Sequence, residues 1–333
     1  MIDRRIRWGV LGTANIGRVR VIPAIQHSNN GELVAVASRD SQKARDFAST
    51  NNIPTSYGSY ESLISASNVD AIYIPLPNSL HREWAIKAAE AGKHVLCEKP
   101  LAMNAAECIE METAARSNNV KLMEAFMYRF HPQIEKMLEL VKTGKIGDLR
   151  LIHSAFTFRV TRPNNIRLQP ELGGGSLMDV GCYCVNINRT IAAQEPVEVQ
   201  AYAKWGATGV DEQMTCSLRF SNGILAQFDC ALTLDRREFC QLVGTTGVLD
   251  VPLAFLPGTE DTTIRQQQGQ NVVLHKIHGV DEYRLMVEYF ANCVLKDQTP
   301  RYPPSEAAAN MRVIEALYRS ARDNGKPMPV PQS

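Results

Sequence analysis

Apolar segments alternate with amphipathic segments from the first residues to the segment KLMEAFMY, and this alternation constrains the fold more than any other feature. The apolar segments include IRWGVLG, ELVAVASRD, VDAIYIPLP and HVLC, and helical segments such as SQKARDFASTNN and SLHREWAIKAAEAG separate them. Strands that are apolar throughout are buried on both faces by crossover helices. The alternation therefore predicts a doubly wound parallel sheet, and Ser41 is the expected N-cap of the second helix.

The pattern changes after about residue 130, where β-rich segments follow one another with tight turns such as SNG. These segments are LRLIHSAFTF, VEVQAYAKW, EQMTCSLRF, GILAQFDCAL and EFCQLVGTTGVLDV. They predict a large, mostly antiparallel open sheet, interrupted by one glycine-led helix near Ser176 and followed by two terminal helices. We therefore expect an α/β protein with a first domain at residues 1–127 and an α+β domain for substrate binding and oligomerisation at residues 128–333.

Composition excludes several classes of protein. The formal net charge is +1, so no bulk field attracts nucleic acid or an anionic membrane. The eight cysteines fall mostly within apolar segments, and the Cys182–Cys184 pair has no second pair at zinc-site spacing, so we expect no metal site. No apolar run approaches the ~18 residues of a membrane span, and the start MIDRRIRWGV lacks the apolar core of a secretory signal. These features favour a cytoplasmic protein.

The segment GVLGTANIGRVRV places a G-x-A-x-x-G pattern between the first strand and the first helix. In the dinucleotide-binding fingerprint the first glycine makes a tight turn, the middle residue allows approach to a pyrophosphate, and the last packs helix on strand. Alanine at the middle position weakens the match, but the strand–helix context is correct. The pattern predicts a Rossmann domain whose cofactor-binding loop consists of Gly12, Thr13, Ala14, Asn15, Ile16 and Gly17.

The end of the second strand, ASRD, indicates which nicotinamide dinucleotide binds. A carboxylate at this position binds the ribose of NAD, whereas arginine accommodates the 2′-phosphate of NADP. Ser38 and Arg39 lie at the tip, and Arg39 supplies a forked cationic donor suited to phosphate. Asp40 is one residue further and is an alternative cap for the next helix. NADP(H) is therefore favoured, with NAD(H) as the alternative.

The glycine loop occurs together with the segments AIYIPLPNSLHREWAIKAAEAGKHVLCEKPLA and GGGSLMDVGCYCVN. In this combination the chain resembles the Gfo/Idh/MocA oxidoreductase family, and the resemblance covers essentially the whole sequence. It implies that Lys99 projects beside the nicotinamide, that Glu98 lies near the nicotinamide ribose, and that the Lys99–Pro100 bond is cis. A partly desolvated lysine at a strand end can exchange protons near neutrality.

Asp179 and Tyr183 are four residues apart and share one face of the glycine-led helix. Where the inositol-dehydrogenase branch of the family has histidine, this chain has Tyr183, as in the branch of glucose–fructose oxidoreductase and the aldose and dihydrodiol dehydrogenases. The resemblance implies that Lys99, Asp179 and Tyr183 hold a substrate hydroxyl, and that either Tyr183 or Lys99 accepts its proton. No metal is needed, because the nicotinamide performs the redox step.

The resemblance also implies contacts that the residues alone do not define. The family places cofactor contacts in the loop after the fourth strand, here Pro75, Pro77, Asn78 and His81. His81 is equally a candidate helix cap. Arg167 lies where the family has an arginine that reaches the cofactor or active site. Tyr128 and Arg129 are candidate substrate contacts, with packing at the domain junction as the alternative.

Together these features predict an NADP-dependent oxidoreductase acting on a sugar or related polyhydroxylated cyclic substrate, with oxidation of an aldose at C1 to the lactone as the leading reaction. The alternatives are a reductase of a keto- or anhydro-sugar, a trans-dihydrodiol dehydrogenase, and a non-catalytic NADP-binding sensor. We expect a homodimer or homotetramer that assembles through the open face of the second sheet.

Overall fold

The computed structural model describes residues 4–332, and the chain divides into two compact units. The first unit runs to Met127 and also includes Asp281–Ala308, and the second comprises Tyr128–Val280 and the stretch from Ala309 onward. The predicted domain of residues 128–333 differs from the observed second unit at residues 281–308. This segment belongs to the first unit because Phe290 is fully buried there, with its ring 5.7 Å from that of Trp8.

The structure contains parallel and antiparallel strands in two sheets. In chain order the strands of residues 4–332 are β1 Ile6–Leu11, β2 Gly31–Ala37, β3 Thr55–Tyr57, β4 Ala71–Ile74, β5 His94–Glu98, β6 Leu122–Ala125, β7 Leu149–Arg159, β8 Pro196–Trp205, β9 Asp211–Phe220, β10 Leu225–Ala231, β11 Thr233–Gly244, β12 Val248–Pro252, β13 Thr262–Gln268, β14 Asn271–Ile277 and β15 Met328–Pro329.

Most of the helices are short and pack against these sheets. Within residues 4–332 the α-helices are α1 Ile22–Gln26, α2 Ser41–Thr50, α3 Tyr60–Ile64, α4 His81–Glu90, α5 Ala105–Ser117, α6 Pro132–Lys142, α7 Cys182–Ala192, α8 Glu282–Leu295 and α9 Pro304–Arg322. Among the residues described, none of these helices is both long enough and apolar enough to cross a membrane.

The first unit is built on a six-stranded sheet in the order β3-β2-β1-β4-β5-β6, and every pair of neighbours is parallel. This is the strand order of a dinucleotide-binding Rossmann fold, and it confirms the predicted doubly wound sheet. Because all strands point the same way, the segments that follow β1, β2, β4 and β5 meet at one edge. The predicted cofactor loop and the E-K-P segment are among these segments.

The N-cap of helix α2 is one residue earlier than expected. The carboxylate of Asp40, rather than the hydroxyl of Ser41, accepts the backbone N–H groups of Gln42 at 2.8 Å and Lys43 at 3.0 Å. The aspartate carboxylate is a charged acceptor, and its negative charge interacts favourably with the positive N-terminal end of the helix dipole. The prediction that Ser41 is the N-cap was therefore wrong, and the alternative that Asp40 caps the helix is confirmed.

The second unit contains a nine-stranded sheet in the order β14-β13-β12-β11-β7-β10-β9-β8-β15. Its neighbours are antiparallel except for β7 and β10, which are parallel. The predicted mostly antiparallel sheet is confirmed. In β9 the side chains of Met214, Cys216 and Leu218 alternate with exposed ones and are buried. The glycine-led helix that ends in α7 contacts the strands of this sheet.

Candidate active site

The turn after β1 has the geometry that a bound pyrophosphate requires. Gly12 has φ +95°, donates its N–H to the carbonyl of Ala37 at 2.8 Å, and has Leu76 Cδ2 only 3.0 Å from the position of a Cβ. Only glycine adopts this conformation without strain. The following helix begins at Asn15, so its first N–H groups, which have no partner within the helix, face the turn. The residues present fit a dinucleotide phosphate.

The helix after this turn passes through a wider, π-helical turn at Gly17–Val21 before α1. The Ile22 N–H donates to the carbonyl of Gly17, five residues back. Pro23 follows and has no N–H to continue a regular pattern. A π-turn of this kind is often found at functional sites, and here it adjoins the cofactor loop.

Residues at the end of β2 lie where the cofactor ribose is expected. Ser38 is buried and its hydroxyl accepts the Asp40 N–H at 3.3 Å, whereas Arg39 is exposed. The Asp40 carboxylate is engaged by the first turn of α2. The arginine interacts with the hydroxyl of Tyr60, a buried residue. Burial raises the pKa of this phenol, and Arg39 offsets only part of the rise. The tip therefore offers a cation, as a 2′-phosphate requires.

Tyr60 is a further residue of the candidate site, and the sequence analysis did not identify it. Its hydroxyl lies 3.6 Å from the position that a Cβ on Gly12 would occupy, so it borders both the glycine turn and Arg39. The Trp84 ring packs against it edge to face at 4.8 Å. Its only sequence signal is its position at the start of α3 after the short strand β3.

Beside α2, Arg18 and Lys43 line an open groove of about 360 Å³.

The E-K-P turn at the end of β5 is held by hydrogen bonds from three other elements. Tyr73 donates to the Glu98 carboxylate at 2.6 Å, and the Leu101 N–H donates to the buried carboxylate of Glu124 at 2.8 Å. The Lys99–Pro100 peptide bond between these contacts is cis, which confirms the expectation from the family. Lys99 is half-buried, so the turn presents its amine from a backbone that is fixed on both sides.

His81 supplies the third support. Its ring is fully buried, with Nδ1 3.0 Å from the carbonyl oxygen of Pro100 and Nε2 2.8 Å from that of Leu76. Burial lowers the pKa of the imidazole, although both carbonyl oxygens favour its protonated form. The side chain makes no capping bond to α4. Both nitrogens face the backbone, so His81 joins the two loops that follow β4 and β5.

The rest of the loop after β4 lies against the glycine-loop helix. Pro75 Cγ is 3.7 Å from the position of a Cβ on Gly17. Pro77 accepts the N–H of Leu80 at 2.9 Å, so that Asn78 begins a single 3₁₀ turn before α4. The structure thus places Pro75 next to Gly17 of the predicted cofactor loop within the first unit.

Tyr283 is a further residue that the sequence reasoning missed. It lies on α8, in the segment that was assigned to the other domain, and is buried in the first unit. Burial raises the pKa of its phenol, and the charge of Glu98 raises it further. The guanidinium of Arg20 lies 5.9 Å from the centre of its ring. Glu98 therefore has a tyrosine from α8 near it as well as Tyr73.

In the second unit, three glycines allow a loop to fold back on the helix that carries Asp179 and Tyr183. Gly175 has φ +118°, and a Cβ there would clash with the Asp211 carboxylate. A Cβ on Gly174 would lie 2.5 Å from the carbonyl oxygen of Arg167. The fold-back brings Arg167 Nε to 2.6 Å from Asp179 Oδ2. The guanidinium thus stabilises the charge of the carboxylate at the start of the helix.

Tyr183 lies in a cluster of aromatic rings. The ring centroids of Phe156, Phe255 and Tyr128 are 5.4, 5.5 and 5.8 Å from its own. Phe255, from the segment after β12, stacks on Phe156 at 5.2 Å and had no sequence signal beyond being apolar. The contacts fix the plane of the Tyr183 ring and therefore the direction of its hydroxyl.

Tyr128 and Arg129, the candidate substrate contacts, are both buried in the second unit. The Tyr128 hydroxyl donates to Asn186 Oδ1 at 2.6 Å, inside the core. The ring of Tyr128 packs against that of Tyr183, with ring centroids 5.8 Å apart. The eight cysteines are free buried thiols, and residues 4–332 contain no cluster of three or more histidine, cysteine or acidic side chains placed to hold a metal ion.

Comparison with known proteins shows similarity along nearly the whole chain. Residues 6–126 match the family model described as "Oxidoreductase family, NAD-binding Rossmann fold", and residues 134–250 match the "GFO/IDH/MocA C-terminal domain". The D-xylose 1-dehydrogenase (NADP(+)) 2 of Haloferax volcanii is 39% identical over 94% of this chain and 97% of its own length. The trans-1,2-dihydrobenzene-1,2-diol dehydrogenase of Xenopus laevis is 38% identical over 74% of this chain and 75% of its own.

A solved structure has the same fold. The aldose-aldose oxidoreductase from Caulobacter crescentus, crystallised with glycerol, superposes with a TM-score of 0.91 at 28% sequence identity. The superposition covers 98% of this chain and 100% of the other.

If His81 acts by holding the Lys99 turn, His81→Ala should lower kcat by about 10–100-fold, because small displacements of a reacting group are costly. The Kd for the dinucleotide, measured by fluorescence titration, should change less than about threefold. His27→Ala, at an exposed histidine of the same unit, is the matched control. A Kd that rises tenfold or more would instead make His81 a direct cofactor contact.

Proposed function

Because this chain belongs to the Gfo/Idh/MocA oxidoreductase family, we propose that it is an NADP-dependent sugar dehydrogenase that oxidises an aldose at C1 to the lactone. The observation that carries the proposal is the half-buried Lys99 on a turn braced by Tyr73, His81 and Glu124. A braced, partly desolvated amine at the cofactor edge of a Rossmann sheet suits proton transfer. The naming of one 39% identical relative as an NADP-dependent D-xylose dehydrogenase supports the substrate class.

The residues of the first unit would hold the cofactor. Gly12 and the N-terminus of the following helix bind the pyrophosphate, while Pro75, Pro77 and Asn78 border it. Ser38 and Arg39 bind the ribose and its 2′-phosphate. The nearby carboxylate of Asp40 caps α2 and so is engaged away from the 2′-hydroxyl that a carboxylate binds in NAD sites, which favours NADP over NAD. Glu98, held by Tyr73, binds the nicotinamide ribose. When bound, the nicotinamide supplies the redox chemistry.

The protein supplies the groups for proton transfer. We propose that Tyr183 or Lys99 accepts the proton of the substrate hydroxyl, and that Asp179 accepts a hydrogen bond from a substrate hydroxyl. The ion pair with Arg167 keeps the Asp179 carboxylate oriented. The surrounding rings keep the Tyr183 hydroxyl directed. Arg129 is a further candidate substrate contact, whereas Tyr128 acts through its packing on Tyr183.

A second candidate function is oxidation of a trans-dihydrodiol. The 38% identity to the Xenopus laevis dihydrodiol dehydrogenase, over 74% of this chain and 75% of that protein, favours it.

We also propose that the protein forms homodimers or homotetramers through the nine-stranded sheet. Tyr202, Leu225 and Leu274 are large apolar side chains of this sheet that are exposed by 59%, 52% and 63%. Burying such side chains against a second copy is favourable. Light scattering of the purified protein tests this assignment directly.

The function is tested by following absorbance of the reduced nicotinamide with NADP, then NAD, across aldoses, inositols, ketoses and a trans-dihydrodiol. We expect reduction of NADP by one or more aldoses and a much weaker signal with NAD. Faster turnover of the dihydrodiol than of any sugar would favour the second candidate. NADP binding with no turnover in either direction would contradict both and indicate a non-catalytic sensor.

Lys99→Met and Tyr183→Phe should each lower kcat by about 10²–10⁴-fold, since each removes a candidate acid–base group. The Kd for NADP should stay within about threefold of the unmodified protein, as measured by fluorescence titration. Lys296→Met and Tyr202→Phe, at exposed positions, are matched controls and should retain full activity. Substantial turnover in either test variant would remove that residue from the mechanism.

Arg39→Ala should raise the KM for NADP by about 10–100-fold, because a charge-assisted contact to phosphate contributes about 1.5–3 kcal/mol. The KM for NAD should remain nearly unchanged, since NAD has no 2′-phosphate. Arg45→Ala removes an exposed arginine of α2 that bonds Gln42 and serves as the control. Equal loss with both cofactors would show that Arg39 does not discriminate between them.

A further inference from the structure

The helix that carries Asp179 and Tyr183 begins against a buried carboxylate from another element. Asp211, the first residue of β9, is only 1% exposed. Its Oδ2 accepts the Ser176 hydroxyl at 2.7 Å and the Leu177 N–H at 2.7 Å, and its Oδ1 accepts the Tyr318 hydroxyl at 2.8 Å. Three donors thus converge on one carboxylate, and two of them belong to the first residues of this helix.

The geometry points to Asp211 as a positioning residue for the reaction: it fixes the start of the helix, and through it the placement of Asp179 and Tyr183. This inference rests on the proposed function for its kinetic readout. Asp179 lies two residues after Leu177, and its N–H donates to the carbonyl of Gly175 at 3.0 Å. A shift of the helix start therefore moves Asp179 directly and Tyr183 one turn later.

The glycine triplet is adapted to this contact. Any side chain on Gly175 would clash with the Asp211 carboxylate, and its Cβ position is also 3.0 Å from the Tyr318 hydroxyl. The close approach of the carboxylate is thus possible only because residue 175 has no Cβ. The same loop carries Arg167, whose carbonyl accepts the Gly175 N–H at 2.9 Å and whose side chain pairs with Asp179.

A negative charge at this point also stabilises the helix electrostatically. The first N–H groups of a helix carry partial positive charge, and a carboxylate is the acceptor that they favour. Burial raises the pKa of Asp211 above its usual value, and the bonds to Ser176, Leu177 and Tyr318 offset only part of this rise. The three hydrogen bonds thus compensate part of the cost of burying the carboxylate, a compensation that a surface cap would not need.

The test compares two substitutions at one position. Asp211→Ala removes all three acceptor contacts, whereas the amide oxygen of Asp211→Asn can still accept from Ser176 and Leu177. We expect Asp211→Ala to lower kcat per folded molecule by about 100-fold with the NADP Kd unchanged. Asp211→Asn should recover kcat to within about threefold of the unmodified enzyme. Ser320→Ala, which removes another buried hydroxyl contact of α9 to β8, is the control.

A purely structural role predicts different results. In that case Asp211→Ala and Ser320→Ala would lower the melting temperature alike, with kcat per folded molecule unchanged in both, and the proposal would be overturned. Equal loss of kcat in the alanine and asparagine variants would also overturn it. If Asp211→Ala does not fold, the double variant Ser176→Ala/Tyr318→Phe takes its place, and an unchanged kcat in that variant contradicts the proposal.

Hydrogen–deuterium exchange separates this inference from the proposed function. Peptides covering residues 175–184 should exchange at least about tenfold faster in Asp211→Ala, or in the double variant if that takes its place, than in the unmodified protein and in Ser320→Ala. This readout needs no substrate. Faster exchange in a protein without turnover would contradict the proposed function and leave the positioning role supported, while unchanged exchange would overturn the positioning role.

Discussion

Parallel strands that end at a common edge are the constraint on which the first unit depends. The order β3-β2-β1-β4-β5-β6 places the segments after β1, β2, β4 and β5 side by side. The backbone of each segment must therefore be held in one conformation. Gly12 achieves this with a conformation that only glycine adopts easily, and the E-K-P turn achieves it with hydrogen bonds from Tyr73, His81 and Glu124.

The second unit reaches a similar end with an antiparallel sheet and one helix. Its candidate site residues, Asp179 and Tyr183, do not lie at strand ends but on a helix. Asp211 accepts a backbone N–H at the start of this helix, and aromatic rings pack around Tyr183. In both units a buried polar group near the candidate site residues is engaged in several hydrogen bonds. The His81 ring lies against two backbone carbonyl oxygens, and Asp211 accepts from two hydroxyls and one backbone N–H. Such contacts cost desolvation, and they are retained where orientation matters more than stability.

Much of this arrangement could be predicted from the sequence, because it follows from local patterns. The alternation of strands and helices predicts the parallel sheet. The spacing of Asp179 and Tyr183 predicts a shared face of one α-helix, whereas the structure has a π-helical turn at Leu177–Gly181 before α7, and the shared face stays a prediction. The residues that sequence reasoning missed act over long separations. They are aromatic and acidic residues with no distinctive sequence pattern, and only the tertiary structure brings them to the candidate site. Tyr60 lies near Arg39, and Phe255 packs on Tyr183. Tyr283 lies near Glu98, and Asp211 bonds Ser176. Helical periodicity likewise shows that α8 has an apolar face, but not which element covers it.

The return of residues 281–308 to the first unit has a consequence for synthesis on the ribosome. Helix α8 contacts α1, β1 and β2, and its Phe290 covers the Trp8 ring. A nascent chain that has emerged only as far as Met127 has every strand of the parallel sheet but lacks this cover. The apolar surface around Trp8 stays open to chaperones and to other nascent chains until more than 150 further residues have been added. The cofactor-binding half, although translated first, is therefore completed after the whole nine-stranded sheet except β15 has been made.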